Sequence, residues 1–170
     1  MQLDNLKQLY VHELQDLYSA ENQITDALPK MADATKDERL RSAFLKHLEV
    51  TKHQKRRLEE IFDQLGEKPA SSSCEGMQGI IKEGESFIKK EKSFFRGDID
   101  SDVLDAALIA SAQRVEHYEM SGYGTARTYA ERLGYPEQAS LLQQTLDEEV
   151  STDRELTQLA ESSINIKAQK

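Results

Sequence analysis

The sequence predicts an all-α protein built as a four-helix bundle. Long segments carry apolar residues at alternating steps of three and four positions, which is the spacing of amphipathic helices. The chain contains 8 glycines and 3 prolines among 170 residues, and 31% of its residues are charged. Few helix breakers and many charges favour long helices and exclude collagen-like, low-complexity and disulfide-scaffold chains.

The first two helices are predicted over about residues 3–33 and 37–65. The segment from Thr35 to Glu38 has the pattern of a capping box and therefore opens the second helix. Gly66 closes the second helix. The turn between the two helices is short, so they form an antiparallel hairpin.

A shorter helix is predicted over about residues 75–92, in the connection that follows the hairpin. The pattern from Ser72 to Glu75 is a second capping box that opens it. Gly97 and Asp98 mark the end of this connection and the approach to another helix start.

Two further long helices are predicted over about residues 102–133 and 136–164, around a turn at 134–136. Pro136 suits the first position of a helix. These helices form a second hairpin, and the connection between the hairpins is long, roughly 35 residues. Two hairpins joined by a long crossover are the ferritin-like arrangement of a four-helix bundle, which we expect to form one domain over residues 1–170.

The charge balance disfavours several classes of partner. Lys and Arg number 22 and Asp and Glu number 31, so the net charge is −9. An acidic chain is a poor candidate for binding nucleic acid or an anionic membrane. We found no signal peptide and no stretch close to the ~20 apolar residues of a membrane span, and therefore expect a cytoplasmic protein. Cys74 is the only cysteine, which excludes an intrachain disulfide, and it has no predicted partner.

Polar residues interrupt the middle of every apolar stripe. They lie between 12 and 19 residues from the hairpin turns, which at 1.5 Å per residue places them in one layer of the bundle. These residues are Glu21 on the first long helix, His47, Thr51 and Gln54 on the second, Glu116 and Glu119 on the third, and Glu149 and Asp153 on the fourth.

Five carboxylates and one imidazole in a buried layer indicate a metal site. Burying uncompensated carboxylates costs several kcal/mol per ion, and the layer offers few cations, since Lys52 and Lys55 flank the stripe and no Arg lies on it. Either some carboxylates are protonated or a cation lies among them. Carboxylates with one imidazole favour one or two iron or manganese ions over a structural zinc ion.

The sequence leaves open which residue of the second long helix binds the metal. Glu49 and His53 form an i, i+4 pair but fall off the apolar stripe, so they rank below His47 and Gln54. His47 also has an alternative interpretation as a hydrogen-bonded core histidine.

Three further alternatives concern the other helices. Glu149 follows two acidic residues and is compatible with a solvated charge run. Asp153 is placed to pair with Lys55. Tyr18 and Tyr123 lie one turn from predicted ligands, where they either pack or donate hydrogen bonds to those carboxylates.

Four segments resemble the YciF-type family of bacterial stress proteins. They are DLYSAE at 16–21, HLEVT at 47–51, VEHYE at 115–119 and LDEEVSTD at 146–153. The family is similar in fold to rubrerythrin and ferritin. The resemblance implies a ferritin-like bundle, a homodimer, a link to stress responses and a dinuclear metal centre.

The resemblance to rubrerythrin-like ligand patterns extends to individual residues. Glu21 corresponds to the single Glu of the first helix, and Glu116 and Glu119 to the paired carboxylates of the third long helix. Glu149 with Asp153 resembles a Glu followed one turn later by a ligand, with Asp where His is usual. The second long helix departs from the pattern, since Lys stands where the His of Glu-x-x-His is expected.

Two functional hypotheses follow. In the first, the protein is a metal-carboxylate protein that oxidises iron or consumes peroxide under stress. Glu21 and Glu119 bridge or cap the metal ions, Glu116, Glu149 and Asp153 are terminal ligands, and His47 is an imidazole ligand or supports one. In the second, the protein is a structural or interaction protein whose surface binds a stress-related partner and whose metal, if bound, only staples the bundle. Both hypotheses keep the carboxylates, so the sequence does not decide whether the protein is an enzyme.

Overall fold

The structure is a computed structural model that describes residues 3–69, 73–91 and 99–170. All elements within these ranges are helical, which confirms the predicted class. The helices are α1 (Leu6–Ala34), α2 (Glu38–Leu65), α3 (Glu75–Glu91), α4 (Ser101–Leu133) and α5 (Pro136–Leu159), followed by a π-helical turn (Ala160–Ile164) and a last helical turn, α6 (Asn165–Ala168). The predicted signals at Ser72 and Gly97–Asp98, and the predicted end of the short helix at 92, lie outside the described residues.

The four long helices pair as the short turns predict. Helix α1 packs along α2, and α4 packs along α5, while the crossover helix α3 lies against α4 and α1. Gly66 and Gly134 end α2 and α4 in the left-handed conformation, with φ of 66° and 79°, which glycine adopts without steric cost. None of the helices in the described part of the chain has the length and hydropathy that a membrane span requires.

The turn between α1 and α2 differs from the predicted capping box. Asp37, rather than Thr35, caps α2, and its side chain accepts hydrogen bonds from the backbone of Arg39 and Leu40. Thr35 instead ends α1. The reason is tertiary: the backbone N–H of Asp37 donates to the Asp105 carboxylate of α4 at 2.9 Å, which holds the turn.

A polar layer divides the core into two apolar halves. One half, near the α1–α2 turn, contains Ile24, Leu28, Phe44, Leu108, Ile109 and Leu156. The other half, near the α4–α5 turn, contains Tyr10, Leu14, Leu58, Ile61, Phe62 and Leu142. Apolar packing on both sides excludes water from the polar layer, which is where the predicted site residues lie.

Cys74 anchors the crossover helix at its start. Its Sγ lies 3.1 Å from Asp16 Oδ2 and 3.0 Å from Tyr118 Oη, and its backbone N–H donates to Ser19 Oγ at 2.8 Å. Burial raises the pKa of the Cys74 thiol, which keeps it protonated. These contacts fix the beginning of α3 against α1 and α4, and sequence reasoning did not anticipate them.

Candidate metal centre

Four of the predicted ligands converge in the centre of the bundle. Each of His47, Glu116, Glu119 and Glu149 offers one donor atom such that all four atoms lie within 4.8 Å of one another. His47 Nδ1 is 3.4 Å from Glu116 Oε1, and His47 Nε2 is 4.0 Å from Glu149 Oε2. Metal–ligand bonds of about 2.0–2.2 Å place donors at such separations around one ion. We call these four residues the central cluster.

Most donor atoms of the central cluster lack hydrogen-bond partners outside it among the described residues. Both oxygens of Glu116 and Glu119, Oε2 of Glu149 and both ring nitrogens of His47 are buried without such a partner, while the Glu116 and Glu149 carboxyls interact with each other and Gln54 donates to Glu149 Oε1. An unsatisfied buried polar group costs about 1–3 kcal/mol, so native proteins seldom leave several together. The donor set, three carboxylates and one imidazole, therefore fits a divalent iron or manganese ion.

Glu21 lies beside the central cluster and is fully buried. The Tyr123 hydroxyl donates a hydrogen bond to Glu21 Oε1, while Oε2 has no hydrogen-bond partner among the described residues. Of the two tyrosines considered from the sequence, Tyr123 therefore binds a predicted ligand. Tyr18 turns away and donates to Glu59 at 2.9 Å.

Asp153 lies outside the central cluster. It is half-buried, accepts a hydrogen bond from Gln113 Nε2 at 3.0 Å, and lies 3.4 Å from His117 Nε2. The predicted stripe on α5 is buried at Leu142, Glu149, Leu156 and Ala160, but Leu146 and Asp153 are only partly buried and Thr145 is buried instead. The alternative pairing of Asp153 with Lys55 is not formed among the described residues, since the Lys55 ammonium lies over the Tyr18 ring.

Lys55, Glu49 and His53 do not reach the polar layer. The Lys55 ammonium lies over the Tyr18 ring, 5.4 Å from its centroid. The Glu49 carboxylate pairs with Lys52 at 2.6 Å on the surface, and the His53 side chain is exposed. Of the histidine and glutamate candidates on α2, His47 alone belongs to the central cluster, and the buried Gln54 reaches it by donating to Glu149.

Burial favours the uncharged forms of the central cluster when no cation is bound. Desolvation, reinforced by neighbouring carboxylates, raises the pKa values of Glu21, Glu116 and Glu119 well above their usual range. Desolvation raises the pKa of Glu149 to about 7 and lowers that of His47 to about 4. The imidazole is therefore neutral at physiological pH, which is the form that binds metals.

An ion pair that the sequence did not reveal supports the cluster from one side. The Arg57 guanidinium of α2 binds both oxygens of Glu148 on α5 at 2.7 Å and donates to Thr145 Oγ1 at 3.1 Å. Gln54 donates to Glu149, so it positions a predicted ligand and orients it toward the centre. Glu148 is thus fixed by a bidentate pair rather than belonging to a solvated charge run.

Replacing Arg57 with methionine should weaken both the fold and the site. The variant loses two charge-assisted hydrogen bonds in a partly exposed pair, so we expect the free energy of unfolding to fall by about 1 kcal/mol. The pair also holds Glu148 beside Glu149, and Gln54 donates to both carboxylates, so metal affinity should decrease because Glu149 is positioned less firmly. Urea unfolding and Mn(II) titration measure the two effects. Arg57→Lys, which keeps the charge but cannot bind both Glu148 oxygens in the same way, should recover only part of each, and an Arg57→Met protein with unchanged affinity would contradict this role.

The fold and the site together define a ferritin-like helical bundle with a buried carboxylate–histidine cluster. The chain belongs to the DUF892 family, described as a domain of unknown function, whose profile matches residues 5–169. It is 42% identical over 170 residues to Protein YciF of Escherichia coli (strain K12), covering 99% of this chain and 98% of that protein. The resemblance noted in the sequence is therefore confirmed.

Solved structures agree with this assignment. The crystal structure of the E. coli stress protein YciF matches with a TM-score of 0.87 and 43% identity, covering 96% of this chain and 99% of that one. A protein from Rhodopseudomonas palustris, YcfI, described as "a putative structural protein", matches with a TM-score of 0.83 and 38% identity over 91% of this chain and 94% of that one. A protein from Xanthomonas campestris shares the fold, with a TM-score of 0.73 at 17% identity, covering 97% of this chain and 99% of that one.

Proposed function

We propose that the protein is a stress-associated metal-carboxylate protein that binds iron or manganese at the central cluster and oxidises iron or consumes peroxide. The single observation that carries this proposal is the set of unpaired, fully buried donor atoms on His47, Glu116, Glu119 and Glu149. A bound cation would offset the cost of burying these carboxylates in their ionised form.

Each residue has a distinct role in this proposal. His47, Glu116, Glu119 and Glu149 hold one ion. Glu21 would serve a second ion, and Glu119, which interacts electrostatically with Glu21, Glu149 and Glu116, would be shared between the two ions. Binding requires the carboxyl protons to leave, and Glu149, with a pKa of about 7, holds one that leaves near neutral pH. Bound iron would supply a redox couple able to react with dioxygen or peroxide.

The stress association comes from a relative, since the E. coli protein of similar sequence is described as a stress protein. A second candidate function is favoured by the description of the R. palustris relative as structural. In that function the metal only stabilises the packing of the four helices, and the surface binds an unidentified partner.

Anaerobic loading with Fe(II), followed by exposure to dioxygen or hydrogen peroxide, separates the two functions. The redox function predicts an absorbance change that saturates with the iron bound and recurs on reloading. The structural function predicts tight binding with oxidation no faster than that of Fe(II) in buffer. Glu49→Gln, at an exposed position outside the cluster, is the matched control and should behave as wild type.

We further propose that the chain forms a homodimer, as the family resemblance implies. Among the described residues, Leu45 of α2 and Val103 of α4 are large apolar side chains left 47% and 40% exposed. Multi-angle light scattering should give twice the 19.3 kDa mass of the chain. A stable monomer or a 24-subunit shell would rule the dimer out.

A further inference from the structure

A cavity between α3 and the bundle leads from the surface to the central cluster. We call it the α3 cavity. His47 and Glu116 lie at its inner end, and the ion pair of Lys30 and Glu85, 3.3 Å apart, lies at its outer end. The walls between the two ends are formed mainly by Ile24, Leu28, Ile80, Ile81, Ala112 and Val115.

The walls of the α3 cavity offer no free hydrogen-bonding group among the described residues. Ser111 is the one polar wall residue between the ends, and its hydroxyl donates to the Ala107 carbonyl at 3.0 Å. The unpaired polar atoms in the cavity therefore belong to His47 and Glu116 at its inner end. A molecule inside meets hydrocarbon until it reaches two residues of the central cluster.

The α3 cavity accepts only a small molecule. The space open to the centre of a water-sized molecule is about 30 Å³. Helix α3 forms its outer wall and keeps it narrow because Gly84 allows a close approach to α4: a Cβ at this position would lie 3.2 Å from Ser111 Cβ. The cavity thus suits a diatomic gas rather than an organic metabolite.

A second cavity reaches His47 from the opposite side and differs in charge. It lies between α2 and α5, and we call it the α5 cavity. Lys46 and Glu155 form an ion pair of 2.7 Å among its lining residues, beside Ala43 and Val50. His47 therefore lies between one cavity with apolar walls and one with a charged rim.

We propose that the α3 cavity is the route by which dioxygen, a small apolar molecule, reaches the central cluster. The proposal rests on the function proposed above, since it names the oxidant that the site would receive. Hydrogen peroxide would have to give up its hydrogen bonds to water in a cavity that replaces none of them before the inner end, so the walls select against it. Dioxygen has no such bonds to lose.

Xenon binding to metal-free protein tests the α3 cavity without any redox chemistry, because xenon occupies dry apolar cavities. Xenon-pressurised crystals should show a xenon site lined by Ala112 and Val115. Ala112→Leu should remove that site, whereas Ala43→Leu, the matched substitution in the α5 cavity, should leave it unchanged. Val115→Ala enlarges the cavity and should increase xenon occupancy. This variant tests the cavity if the Ala112→Leu protein does not fold.

Oxidation rates of the iron-loaded protein provide a second test. Ala112→Leu should slow oxidation by dioxygen several-fold and leave oxidation by peroxide near the wild-type rate, with Fe(II) binding intact. Absence of xenon from the α3 cavity, or equal slowing of both oxidants, would overturn the inference while leaving the metal site in place. Loss of Fe(II) binding in wild-type protein that still binds xenon would instead refute the proposed function.

Discussion

The Glu119→Gln variant should lose metal binding while keeping the helical content of the wild type. Glu119 is fully buried at the centre of the polar layer, and both of its oxygens lack partners among the described residues. The amide has nearly the same shape but carries no charge and is a much weaker ligand. Anaerobic titration with Fe(II) or Mn(II), alongside circular dichroism, measures both properties.

Asp153→Asn is the matched control for this substitution. Asp153 was expected from the sequence to be a ligand, but it is not one of the four residues of the central cluster: its carboxylate contacts Gln113 and His117 and interacts with Glu116 only electrostatically. The asparagine variant should therefore bind one ion with wild-type affinity. Equal metal stoichiometry in the Glu119→Gln and wild-type proteins would show that the ions bind elsewhere.

Metal-free protein should lose stability as the pH rises, and metal should restore it. The pKa values of Glu21, Glu116, Glu119 and Glu149 are raised in the fold, so the stability that their protonated forms contribute is complete below about 4.5 and is lost as the pH passes through each folded pKa. For Glu149 this window runs from 4.5 to about 7, and for the other three it runs upward from 4.5. Within its window, each group lowers the free energy of unfolding by about 1.4 kcal/mol for each pH unit of increase.

The shifted pKa of His47 changes stability with pH in the opposite direction, but it is one group against four carboxyl groups. Its pKa is lowered from 6.5 to about 4, so its contribution to stability is lost as the pH falls through this range. One histidine against four carboxyl groups leaves a net decline in stability between pH 5.5 and 8.

A divalent ion that binds only the folded state adds about 2.7 kcal/mol at a hundredfold excess over its Kd. Protons compete with it for the same oxygens at low pH. The thermal midpoint of chelator-treated protein should therefore rise more on adding Mn(II) at pH 8 than at pH 5.5. A midpoint at pH 8 that does not respond to metal would contradict both proposed functions, since each has a metal bound in the bundle.

The sequence predicted the bundle and most of the polar layer because both depend on helical periodicity. Glu21, His47, Glu116, Glu119 and Glu149 lie on the buried faces of long helices without an internal break, where counting along the helix locates a side chain reliably. Polar residues at one height on all four helices were therefore informative, even though each residue alone was ambiguous.

What the sequence could not provide depends on contacts between helices. The position of Asp153 required the rotation of α5, which is set by how Thr145 and Glu149 pack against α2 and α4. The Arg57–Glu148 pair joins residues 91 positions apart, and Asp105 selects Asp37 as the cap of α2 from across the bundle. The α3 cavity depends on where the crossover helix docks, and no periodicity encodes that.

Anomalous diffraction from a crystal of chelator-treated protein soaked in Mn(II) tests the central claim most directly. We expect an anomalous peak within bonding distance of His47, Glu116, Glu119 and Glu149, with a second ion, if present, beside Glu21. A crystal whose anomalous peaks lie only on surface carboxylates, with the central cluster free of metal, would contradict the assignment of this cluster as a metal site.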